Sequence, residues 1–169
     1  MELGGWQYHL FKDASNFTDA QAICTVTGGN LLSVENATEH AWVAGTIQRQ
    51  YKLLFMLENS LEDSDPRVGL GNNGSLWLGL NNFRYFDEFR WTDASLLTYK
   101  APGFSPPIDN VGQLCGVLAY DTATIGVNTT RWSVANCSQP LKFVCKRAEL
   151  RQAPPPPPGA WEPLDDVNI

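Results

Sequence analysis

Four cysteines, Cys24, Cys115, Cys137 and Cys145, constrain this chain more than any other feature. Their number is even and none stands in the C-x-x-C spacing of a zinc site or a dithiol redox pair, so disulfides are the expected state. Four cysteines allow three pairings, and the residues alone leave all three open. Disulfides persist in oxidising compartments. Five Asn-X-Ser/Thr triplets, at Asn16, Asn36, Asn73, Asn128 and Asn136, agree with an extracellular location. Asn16, Asn73 and Asn128 are the candidate glycosylation sites, while Asn36 doubles as a helix cap.

At 169 residues, 43% apolar and 11% aromatic, the chain suffices for one well-filled core but not for two independent domains. A net charge of -6 and a pI near 4.8 leave no basic surface to neutralise phosphates. Nucleic acid and anionic membranes are therefore poor partners, and a protein, glycan or small molecule is the expected one. The longest apolar run, LLFML at 53–57, is far short of the roughly 20 residues that span a bilayer. The first fourteen residues lack a basic start followed by an apolar stretch, so no signal peptide is read there.

Along the chain, a short extended start at 6–11 precedes TDAQAICTVTGG, which predicts a helix. Thr18 and Gln21 form its capping box, Ala20, Ile23 and Cys24 lie on one face, and Gly28-Gly29 stop it. A second helix is predicted from about Ala37, with Asn36 and Glu39 at the cap and Ala41, Trp42, Ile47 and Tyr51 along the buried side. Residues 58–75 are polar and rich in breakers, and read as a surface loop. Five short aromatic or β-branched segments follow, at 76–80, 89–92, 115–120, 130–134 and 141–145. Helices followed by antiparallel strands give an α+β class. From about residue 150 the chain turns to QAPPPPPGAWEPLDDVNI, a proline-rich tail that reads as a polyproline II spacer, so the domain is drawn at 1–149 and the tail at 150–169.

The order of signals resembles the C-type lectin-like domain. AQAIC, then GGNLLSVEN, LWLGL, WTDAS and the closing C…RWSVANC…LKFVCKR follow one another as in that family over roughly residues 6–147. The resemblance implies two helices, small antiparallel sheets, a long loop region, and the disulfides Cys24–Cys145 and Cys115–Cys137. It also implies a cis bond before Pro106 or Pro107, and a structural turn at Asp93, where Ala94 replaces the family's glycine.

Calcium-dependent sugar binding in that family uses carboxylate and amide oxygens, because Ca²⁺ takes six to eight hard ligands. The corresponding positions here are Ser105, Pro106 and Pro107, then Gln113, then Ser133 and Val134, and none is a carboxylate. No metal or other cofactor is expected. The predicted function is an extracellular, non-enzymatic recognition or adhesion module that binds protein or glycan through the long loop, with Tyr99, Phe104, Asp109 and Asn110 as contacts. One alternative is a weakly calcium-dependent lectin using Asp109 and Asn110. Another is a secreted glycan hydrolase using Asp87 and Glu88, although neighbours on a strand point to opposite faces. The acidic run Glu58, Glu62, Asp63 and Asp65 lacks the spacing of a metal loop. His9 and His40 are assigned surface or capping roles, and Trp6, Trp42, Trp77, Trp91 and Trp132 are assigned to the core.

Overall fold

The computed structural model describes residues 1–58, 75–85, 87–107, 112–120 and 130–149. Asp109, Asn110, Asn73, Asn128, most of the polar 58–75 segment and the proline-rich tail lie outside the described residues. The strands are β1 (Glu2–Leu3), β2 (Trp6–Ser15), β3 (Asn30–Leu31), β4 (Ser75–Tyr85), β5 (Glu88–Trp91), β6 (Leu114–Tyr120), β7 (Thr130–Asn136) and β8 (Leu141–Ala148). The helices are α1 (Phe17–Val26) and α2 (Ala37–Glu58).

These strands form one sheet in the order β1-β2-β8-β4-β6-β7, with β3 beside β8 and β5 beside β4. The α+β class and its two helices are as predicted. The pairing adds a detail: β4 and β8 run parallel, Leu76 opposite Lys142 and Trp77 opposite Phe143, so the sheet is mixed. The closing strand β8 sits at its centre, flanked by β2 and β4.

Alternation along the strands separates two apolar clusters. On β4, Leu76, Leu78 and Leu80 enter the first cluster and Trp77 enters the second. On β8, Val144 faces the first, while Leu141, Phe143 and Cys145 face the second. Val43 and Ile47 of α2 cover the first cluster, and Phe17, Ala20 and Cys24 of α1 cover the second. Gly79 has no room for a side chain, since a Cβ there would lie 2.7 Å from the Leu31 carbonyl oxygen.

The cap of α1 differs from the predicted box. Asn16 is the N-cap, its Oδ1 accepting from the Asp19 amide at 2.9 Å. Gln21 instead bridges α1 to β3, donating to Asn30 Oδ1 at 2.8 Å and accepting from the Leu31 amide at 2.9 Å. Ile23 is partly exposed, and Phe17 replaces it on the buried face. The turn after α1 places Gly28 at φ +83°, a backbone conformation that favours glycine.

On α2, Asn36 caps the Glu39 amide at 2.9 Å, as predicted. Its buried face is Glu39, His40, Val43, Ala44 and Ile47, whereas Ala41 is exposed and Trp42 only partly buried. Trp77, Trp91 and Trp132 are core residues; Trp6 packs at the rim.

Both implied disulfides form, Cys24–Cys145 across 5.3 Å between Cα atoms and Cys115–Cys137 across 5.2 Å. All four cysteines pack in or against the second cluster. The first cluster is held by a buried polar network instead. Lys146, 4% exposed, pairs with Glu39 Oε1 at 2.7 Å and donates to Glu35 Oε1 at 3.0 Å and the Ser33 carbonyl at 3.3 Å. Tyr8 also donates to Glu39 Oε1 at 2.7 Å, and burial together with this carboxylate pushes its hydroxyl pKa up. Glu39 Oε2 accepts from the Glu35 amide, so both carboxylate oxygens are satisfied.

Candidate functional site

The long loop leaves β5 through a turn built by Asp93. Its Oδ1 accepts from the Ser95 amide at 2.9 Å and the Ser95 hydroxyl at 2.6 Å, and its Oδ2 accepts from the Ser33 hydroxyl. Ala94 stands at φ +63°, so the turn keeps its left-handed geometry without the glycine. This turn ties the start of the loop to the segment between β3 and α2.

Beyond the turn the side chains alternate. Leu97, Tyr99 and Ala101 face the first cluster, while Leu96, Thr98 and Lys100 face outward. Trp132, 3% exposed, is the ring on which the loop's aromatic residues rest. Tyr99 meets it edge to face at 5.5 Å, Phe104 at 5.6 Å and Trp91 at 5.6 Å, within the favoured range for such pairs. Phe104 also meets Phe89 at 6.4 Å. The structure thus places Tyr99 and Phe104 as partly buried braces behind the loop surface. An aromatic residue in a loop reads as exposed, but here each ring has a wall of rings to pack on.

His40 is also displaced from the role read for it. It is 8% exposed, with Nδ1 at 2.9 Å from the Tyr99 hydroxyl and Nε2 at 3.0 Å from the Thr130 hydroxyl. Burial lowers its pKa below the ordinary histidine value. At the other end of the loop, buried Asn82 accepts from the Leu114 amide at 2.7 Å and donates to the Gly112 carbonyl at 3.3 Å, fixing the chain where it enters β6.

Leu96, 80% exposed, is an apolar side chain at the loop's outer edge. Sequence reading missed it. The signal was the two-residue period in SLLTYKA, which sets 97, 99 and 101 inward and leaves 96, 98 and 100 outside.

At the positions that resemble the family's calcium ligands, Ser105, Pro107 and Gln113 are exposed, while Val134 packs against the first cluster. These positions offer no carboxylate, and with prolines and an inward valine among them they supply few of the six to eight oxygen ligands that Ca²⁺ takes. The bonds before Pro106 and Pro107 are trans, not cis, which is the preferred state of an X-Pro bond. Among the described residues no group of three or more acidic, histidine or cysteine side chains could hold a metal ion.

Asp87 and Glu88 are both exposed, and Glu88 pairs with Arg90 at 2.8 Å. The Asn16 amide nitrogen, where a glycan would attach, donates to Asp19 Oδ2 at 2.7 Å. A shallow groove of about 250 Å³ lined by His9, Phe11, Gly29, Cys145 and Arg147 lies on the disulfide side and holds none of the loop residues.

The family model for the lectin C-type domain matches residues 13–147. The chain belongs to this family. It is 30% identical to Snaclec 3 of Daboia siamensis over 141 residues, covering 82% of this chain and 72% of that one. It is 24% identical to human C-type mannose receptor 2 over 89% of this chain, but that stretch is only 8% of the receptor's length. Among solved structures, human lithostathine superposes with a TM-score of 0.60 at 24% identity, covering 88% of this chain and 95% of that one. CEL-IV gives 0.64 at 17% identity, covering 90% and 94%. These likenesses establish the fold, and the domain class is one of ligand recognition.

Proposed function

We propose that this domain is a non-enzymatic extracellular recognition module that takes a protein or glycan on the outer edge of the 94–107 loop, without calcium at the usual sugar-binding position. The observation that carries this reading is the alternation on the loop. Tyr99, Ala101 and Phe104 brace it against the first cluster, and Leu96, Thr98 and Lys100 are presented on a fixed outer edge. An ordered loop loses less conformational freedom on binding than a loose one, and this one carries an apolar residue and a cation on the same outer edge. Disulfides support the extracellular placement, and relatives named as receptors agree with it.

The test is binding to arrays of glycans and of extracellular proteins, in millimolar Ca²⁺ and in EDTA, for the wild type and for Leu96→Asp/Lys100→Glu. The expected result is a set of ligands retained in EDTA and weakened at least tenfold by the double substitution. Ligands that survive the substitutions would place recognition elsewhere. Thermal melts report on calcium directly, because a specific site at a hundredfold excess over its Kd adds about 2.7 kcal/mol, or roughly 5–10 °C for a domain of this size. Coincident melts are expected; a shift of that size would favour the calcium-dependent alternative through Asp109 and Asn110.

A further inference from the structure

We infer that His40 is an acid-sensitive latch for the recognition loop: buried between the Tyr99 and Thr130 hydroxyls, it ties α2, the loop and β7 together, and mild acidification opens that tie. The inference rests on the loop being the binding edge, and it adds the control of that edge.

The geometry is that of a three-way clasp. One ring nitrogen meets Tyr99, which lies 59 residues along the chain, and the other meets Thr130, which lies 90 residues along. The imidazole centroid is 5.9 Å from the Tyr99 ring and 5.8 Å from Trp132, so the ring sits inside the aromatic cluster that supports the loop. In the neutral form one nitrogen donates and the other accepts, which two hydroxyls satisfy in either tautomer.

A proton leaves both hydrogen bonds possible but puts a full charge where little water reaches. The groups around the ring do little to hold that charge. From the loop the titratable neighbour is Tyr99, which burial keeps protonated to still higher pH. From β7 the ring meets Thr130 and Trp132, which are uncharged, and Trp132 is near the outer limit of about 6 Å for a cation–π contact. On α2, the adjacent Glu39 is committed to Tyr8, the Glu35 amide and Lys146. Burial therefore sets the direction, and the charged ring is better off in water.

The sign follows. An opened state with a solvated ring titrates near the ordinary value of about 6.5, and the closed state titrates lower. Between those two values the opened state carries one more proton, so its population rises up to about tenfold for each unit of falling pH. Above pH 7 the neutral ring holds the loop shut. In the acidified range the latch loosens, and with it the presentation of Leu96, Thr98 and Lys100.

Amide hydrogen exchange, corrected for the intrinsic pH dependence of exchange, reads this without any ligand. The reporters are the Thr98 and Phe104 amides, which bond to the Leu96 and Ala101 carbonyls, with β8 amides as the internal control. From pH 7.5 to 5.5 the loop reporters are expected to lose protection below about pH 6.5, by at most about tenfold per unit, while β8 stays constant. His40→Gln keeps a donor and an acceptor but does not titrate, and its loop protection should be flat with pH. Proton NMR of the wild type gives a variant-free check, since His9 and His40 are the only histidines. Flat loop protection in the wild type, an unchanged slope in His40→Gln, or a His40 ring that titrates at or above the ordinary value of about 6.5 with the loop still closed would each overturn the latch. Loop opening with ligands indifferent to Leu96→Asp/Lys100→Glu would leave the latch standing and remove the binding assignment.

Discussion

The two faces of the sheet are held by different chemistry. On the α1 side both disulfides pack with Phe17, Trp77, Val117 and Phe143, and the chain is cross-linked across 121 and 22 residues. On the α2 side no cross-link forms among the described residues. That side relies on the Lys146–Glu39 pair, the Trp132 ring cluster and the His40 clasp. Covalent ties act by restricting the unfolded chain, whereas contacts of the second kind can open and reclose one at a time. The presented loop thus grows from the side that can respond, on a platform closed by the side that cannot.

The largest effect that tests this division is removal of the longer cross-link. On the chain-entropy model a closed loop of 121 residues corresponds to about 5 kcal/mol, and removals of native disulfides in small domains cost about 2–5 kcal/mol. Cys24→Ala/Cys145→Ala should therefore lower Tm by on the order of 10 °C. Below that transition the near-ultraviolet circular dichroism of the Trp132 cluster should be preserved. Loss of that signal in the folded variant would show that the two faces are not independent.

A comparable effect is expected on the other face from Lys146→Met. It leaves Glu39, nearly buried, without its cation, and breaking a buried pair from one side costs about 3–5 kcal/mol. Glu35 contributes less to the pair because it is half exposed. Adding Glu39→Gln removes the stranded charge, so the double variant should recover most of the loss in a denaturant melt. If Lys146→Met alone costs under about 1 kcal/mol, the network does not hold this face and the contrast fails.

What the sequence disclosed divides instead by distance along the chain. The cysteines, the WLGL strand and the closing RWSVANC and LKFVC segments announced the fold because each is a contiguous pattern whose meaning depends on its neighbours in the chain. Asn36 announced its helix cap for the same reason. Lys146 could not be read this way, since Glu35 lies 111 residues away and the strand beside it looks like any apolar strand end. His40 has partners 59 and 90 residues off, and a lone histidine at a helix start carries no sign of them. Phe104 was legible as a loop aromatic but not as an inward-facing one, because the rings it packs on, Phe89 and Trp132, lie well off in the chain, whereas the inward turn of Tyr99 was carried by the period in SLLTYKA.

The smallest effect comes from the Asp93 turn, and it has the opposite sign. Ala94 is exposed and lies in the left-handed region at φ +63°, where an L side chain costs roughly 1–2 kcal/mol. Glycine removes that strain but brings a larger unfolded-state entropy of roughly 0.5–1 kcal/mol. The difference predicts that Ala94→Gly stabilises the domain by about 0.5–1 kcal/mol, read as a small rise in the denaturant midpoint with an unchanged slope. Since the turn ties the loop to Ser33 through Asp93, the same variant should raise protection at Thr98 without altering its pH dependence, which belongs to His40. A destabilised Ala94→Gly would mean that the alanine methyl group makes a contact worth more than the strain, and that the turn is held by packing rather than by the two Asp93 hydrogen bonds to Ser95.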